Sequence, residues 1–261
     1  MKSLYVIPDR DRIEESLEIS RKYGAHFEYN DFFLPSVLED EEQKEELIRF
    51  YKGLGRDMSL DTMHGAFLDV TVHSSDPRIR EVSELRVRQS MEIAKKMGLR
   101  GVVFHTNIIA NFKDAAYMDG WVESNMRFFK QILMEYPGIY VYMENMFDLD
   151  PEVLLHLVHK MKDETYFGVC LDYAHASISQ TAAEDWIESL APYIKHMHIN
   201  DNDLSIDLHQ AIGKGKMDYE KYTFLMKKYG VEKSVLLEVR KIEDQIASLN
   251  YMKEKAIYPF D

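Results

Sequence analysis

Eight short apolar runs, each followed by a longer segment of helical character, are the feature that most constrains what this chain can fold into. The predicted strands are Leu4–Ile7, Ala25–Tyr29, Ser59–His64, Gly101–Phe104, Tyr140–Met143, Phe167–Leu171, Tyr193–Ile199 and Ser234–Leu237. Between them lie predicted helices over Asp9–Lys22, Glu41–Tyr51, Arg78–Met97, Trp121–Met134, a segment opening at Asp150-Pro151 and closing near Met161, Ala182–Leu190, Tyr219–Tyr229 and Ile242–Lys253. Gly24, Gly98 and Gly230 follow helical runs as stop signals, and Pro77 opens the longest helix. Strands that read as continuous apolar runs belong to parallel sheets covered by helices. Eight such units in 261 residues predict an α/β fold, a single (β/α)8 barrel with one domain over residues 1–261, because that architecture typically takes about 250 residues. An open doubly wound sheet is the rival. Its glycine-rich phosphate turn after the first strand is absent here, where Pro8-Asp9-Arg10 stands.

Composition narrows the partners. The net charge of −13 disfavours nucleic acid and anionic membrane, since phosphate binding needs clustered Lys and Arg. Cys170 is the one cysteine, so no intrachain disulfide forms, as expected of a cytoplasmic protein. The N-terminus turns charged too early for a signal peptide, and no apolar run is long enough to span a bilayer.

The chemistry is announced by position. His64, His105, Glu144, Asp172, His198 and Glu238 each fall at the C-terminal end of a predicted strand, and in a barrel those ends converge on the face that carries the active site. Imidazoles and carboxylates together are the ligand set of a divalent ion. Glu144 and Glu238 close the apolar runs VYME and VLLE, where an unpaired carboxylate would be costly to bury. His175 follows Asp172 in LDYAH, a spacing that lets both turn toward one site; an Asp that merely caps the next segment is the alternative. Asp207 and His209 form D-x-H ahead of Gly213-Lys214-Gly215, where the glycines would allow close backbone approach to a ligand. His196 shares a strand face with His198, and Glu28 is delivered to the end of the second strand.

The segments HGAFLDVTVHSSDPRIRE, VVFHTN, YMEN, LDYAHA, HMHIND, DLHQAIGKG and LLEVR together resemble the xylose-isomerase-like TIM-barrel superfamily, from about His64 to Glu238. That group contains sugar and sugar-phosphate isomerases and epimerases, inosose-dehydratase-like enzymes and endonuclease IV. In the epimerase branch the resemblance implies one divalent ion, often manganese, held at Glu144, Asp172, His198 and Glu238. In the endonuclease IV branch it implies three zinc ions, with His64, His105, His175, Asp207 and His209 as further ligands. The first strand lacks the GAHVS-like motif of endonuclease IV, and the chain is acidic. The expectation is therefore a metal-dependent isomerase or epimerase acting on a small sugar or sugar phosphate through an enediolate, with Glu144 and Glu238 as acid and base and His175 orienting a substrate oxygen. A zinc-dependent phosphodiester hydrolase of abasic DNA and an inosose-dehydratase-like lyase are the alternatives. Homo-oligomerisation is left open.

Overall fold

The computed structural model describes residues 2–261. Its strands are β1 (Ser3–Val6), β2 (His26–Tyr29), β3 (Thr62–His64), β4 (Gly101–His105), β5 (Tyr140–Glu144), β6 (Phe167–Asp172), β7 (Ile194–Ile199) and β8 (Ser234–Leu237). They form a closed parallel barrel in sequence order, β1 to β8. The chain divides into two compact units, one of residues up to Glu28, 149–151 and 169–261, the other of residues 29–148 and 152–168.

In the first unit β1 pairs with β2 and β8, and β7 with β6 and β8. Its helices are α1 (Ile13–Tyr23), α7 (Tyr173–Ile178), α8 (Ala183–Leu190), α9 (Tyr219–Lys228) and α10 (Ile242–Glu254). All four residues of β8 are buried, which explains why the run SVLL reads as apolar without alternation. The register sets Asp172 beside His198 and His198 beside Leu236. Metal-capable side chains on neighbouring strands therefore stand at one level.

In the second unit β4 lies between β3 and β5, with helices α2 (Pro35–Glu39), α3 (Glu41–Gly53), α4 (Pro77–Met97), α5 (Ala115–Glu135) and α6 (Glu152–Lys160). His105 pairs in register with Glu144. The longest helices start where side chains cap them: Asp76 accepts from Arg78 N–H ahead of α4, and Asp114 from Tyr117 N–H ahead of α5. The α4 helix ends at Gly98 in the left-handed conformation.

Differences from the sequence reading sit at short or weakly patterned elements. The third strand is Thr62–His64 rather than Ser59–His64, and α5 begins at Ala115 rather than Trp121, because its cap lies at Asp114. The α6 helix opens at Glu152. Two helices, α2 and α7, are too short to show a helical period.

Candidate metal centre and active site

Of the strand-end residues, His64, His105, Glu144 and Asp172 are the last of their strands, His198 is next to last in β7, and Glu238 follows β8 directly. All six are buried.

In the second unit His64, His105 and Glu144 form a triangle. The two histidine Nε2 atoms lie 3.3 Å apart, and Glu144 Oε2 is 3.5 Å from His64 Nε2 and 3.3 Å from His105 Nε2. His64 Nδ1 lies 3.1 Å from the carbonyl of Gly65. A carbonyl only accepts, so the proton sits on Nδ1 and Nε2 presents its lone pair to the triangle. Phe67 covers the pair, its ring 5.4 Å from that of His64 and 4.7 Å from that of His105. Trp121 donates to the carbonyl of Thr106 next door, at 3.1 Å, anchoring the segment that follows His105.

In the first unit Asp207 joins two histidines through one oxygen: Oδ2 is 3.2 Å from His175 Nε2 and 2.7 Å from His209 Nε2. Asp207 Oδ1 is buried and accepts no hydrogen bond. Burial pushes the Asp207 carboxyl up, but the two imidazoles outweigh it and hold it well below the usual carboxylate range. His209 donates through Nδ1 to the carbonyl of Glu238, 3.0 Å away. Burial would lower its imidazole, yet the bond to Asp207 and the charges of Glu238 and Asp207 raise it to about 9. A proton is thus held where a cation would bridge Asp207 and His209. His209 adopts a φ of +47°, a conformation a non-glycine residue takes at a cost of about 1–2 kcal/mol, and in that conformation its ring meets Asp207.

Asp172 accepts the backbone N–H of His175 at 2.7 Å through Oδ1 and so caps α7. Capping and site placement are thus one arrangement, because the cap is what turns the buried His175 toward Asp207. His198 spans two carboxylates, Nε2 to Glu28 Oε1 at 3.1 Å and Nδ1 to Glu238 Oε2 at 3.4 Å.

The glycine loop departs from its sequence reading. A side chain at Gly215 would collide with Asn202 O and Asp201 Oδ1, and one at Gly213 with the Tyr251 ring. The glycines thus admit the loop's own neighbours, and Lys214 and Lys216 are not buried. The buried Asp201, which carries no separate role in the sequence reading, accepts backbone N–H groups of Asn202, Gly213 and Met217.

The donor set suits a divalent ion. Imidazole lone pairs and carboxylate oxygens converge at 2.7–3.5 Å within each cluster, and Asp207 keeps a buried oxygen without a partner.

This chain belongs to the xylose isomerase-like TIM barrel family, whose model matches residues 17–255. Among curated proteins it is similar to MJ1311 of Methanocaldococcus jannaschii, 26% identical over 202 residues covering 74% of this chain and 68% of that protein. A segment of 91 residues, 29% of this chain and 32% of the relative, is 35% identical to a probable endonuclease 4 of Protochlamydia amoebophila. Among solved structures it resembles the TTHB071 protein of Thermus thermophilus soaked with zinc chloride, with a TM-score of 0.74, 24% identity and 98% of each chain covered. It also resembles a D-tagatose 3-epimerase-like protein, with a TM-score of 0.75 and 21% identity over 98% of this chain and 97% of that one. At such identities the structural likeness concerns the fold.

Proposed function

We propose that this protein is a divalent-metal-dependent isomerase or epimerase of a small sugar or sugar phosphate, with Glu144, Asp172, His198 and Glu238 holding the ion, manganese or zinc. The observation that carries the reading is the placement of two buried glutamates at the ends of β5 and β8, in a fold shared with solved sugar epimerases such as L-ribulose 3-epimerase and D-psicose 3-epimerase.

A bound divalent ion supplies positive charge that offsets the negative charge developing on the substrate oxygens. One glutamate takes the proton from the carbon next to the carbonyl as that C–H bond breaks, and the other delivers a proton to the opposite face. His175, fixed between the Asp172 cap and Asp207, orients a substrate oxygen. The test is incubation of ketoses, ketose phosphates and inososes in deuterated water with manganese. Deuterium entering at the carbon next to the carbonyl supports the reading; no exchange with any of them refutes it.

A specific observation favours a second reading. The two further histidine clusters, His64–His105–Glu144 and His175–Asp207–His209, have the donor spacing of additional ion sites, and the endonuclease 4 segment matches at 35% identity. In that reading the protein is a zinc-dependent hydrolase of abasic DNA. Salt-sensitive binding and cleavage of an abasic duplex with zinc would establish it; absence of binding at low salt removes it.

A further inference from the structure

Glu28 is the deepest charged side chain of the first unit that the proposed chemistry does not use. It is fully buried on β2, where a carboxylate is costly unless matched. Both of its oxygens face imidazoles: Oε1 lies 3.1 Å from His198 Nε2 and Oε2 lies 3.2 Å from His196 Nε2. The chain of contacts continues, for His196 Nδ1 is 2.6 Å from Ser234 Oγ. Ser234 Oγ also lies 3.2 Å from the carbonyl of Lys195; because the Glu28 carboxylate only accepts, His196 donates to it through Nε2 and takes the Ser234 hydroxyl proton at Nδ1. The ring of Tyr5 packs edge-on against His196, centroids 5.1 Å apart, and His196 stands at 88° to His198 with centroids 5.3 Å apart. His196 is held in rotation by its hydrogen bonds to Glu28 and Ser234 and by the Tyr5 ring, and His198 by its close contacts with Glu28 and Glu238 and by the His196 ring.

We propose that Glu28 is a positioning carboxylate for a metal ion at His198: it accepts the proton of His198 Nε2 and thereby leaves Nδ1, the atom facing Glu238 Oε2, as the donor to the ion. A histidine whose far nitrogen is tied to a carboxylate is fixed in tautomer and orientation and becomes a more basic ligand. His196 and Ser234 act one step further out by holding the second oxygen of Glu28, so that the carboxylate cannot rotate away from His198. The role rests on the reading of His198 as a metal ligand given above, and it adds a residue on a strand to which that reading assigned no function.

The experiment is calorimetric titration of the chelator-stripped full chain with manganese and with zinc, comparing the parent with Glu28→Gln. Glutamine keeps the shape, removes the charge and offers only one acceptor for two imidazoles. The expected result is unchanged near-UV dichroism with affinity weakened about 10–100-fold. A folded variant that binds within about twofold of the parent overturns the role of Glu28. A parent that binds neither ion refutes instead the metal site itself, so the two failures are told apart. Should Glu28→Gln not fold, histidine nitrogen spectra of the zinc-loaded parent decide. His198 is expected to carry a slowly exchanging proton on Nε2 with zinc at Nδ1, and the opposite tautomer overturns the proposal.

Discussion

His64 and His105 face each other through their Nε2 atoms at 3.3 Å, and both face one oxygen of Glu144. Because the Gly65 carbonyl fixes the proton of His64 on Nδ1, the facing nitrogens need a shared proton or an ion between them. His105→Ala is therefore expected to lower zinc uptake by one ion per chain in zinc-saturated protein, as counted by elemental mass spectrometry. Equal counts in parent and variant would mean that the triangle holds protons only.

Turnover should depend on both strand-end glutamates separately. Glu144→Gln and Glu238→Gln are each expected to reduce the rate of solvent deuterium exchange into the substrate by about 100-fold or more. Full exchange in both variants would remove the two-glutamate mechanism.

Stability of the metal-free protein should fall away on both sides of a maximum near the ordinary histidine value of about 6.5. On the acid side, burial lowers the His73 imidazole to about 4. Between these values the unfolded chain binds a proton the folded one refuses, so this contribution is whole above about 6.5 and is lost as pH falls through about 4. On the alkaline side, His209 is raised to about 9 against the opposing effect of its burial. Its contribution is whole below about 6.5 and is lost as pH rises through about 9. Melting temperatures recorded across pH in chelator test both limbs. His73→Phe should flatten the acid limb, since an aromatic ring there keeps its edge-on contact with Tyr117.

The close approach at Gly215 makes a stability prediction free of backbone strain. A methyl group there would press into both Asn202 O and Asp201 Oδ1, well inside van der Waals contact, so Gly215→Ala is expected to cost about 1–3 kcal/mol. Urea unfolding measures it, and an unchanged midpoint would mean that the loop yields without penalty.

The barrel was legible because its strands are buried on both faces and so spell continuous apolar runs, as at VVF in β4 and VLL in β8. The strand-end histidines and carboxylates were legible for a related reason, since a charge that interrupts such a run marks its mouth. Glu28 was harder to read. It lies inside HFEY, where period-two alternation cannot say whether a carboxylate faces a helix or the barrel interior, and its partners are more than a hundred and sixty residues away in sequence. Asp201 was hidden in an acidic run, NDND, where neighbouring carboxylates look alike until the backbone donors of Gly213 and Met217 arrive. The glycines of the D-x-H loop carried a real signal of close approach, but sequence cannot say to what.

Asp201 also pairs through its backbone with Gln210, the two exchanging N–H···O bonds of 2.9 and 2.8 Å. The chain between them leaves β7 and returns to a fixed point, with His209 immediately beside the seam. Insertions or deletions around Leu204 to Ile206 would therefore be absorbed as a larger or smaller bow, and His209 would stay where it is. Evolution could redraw that rim on the far side of Asp207 while His209 keeps its place beside the seam.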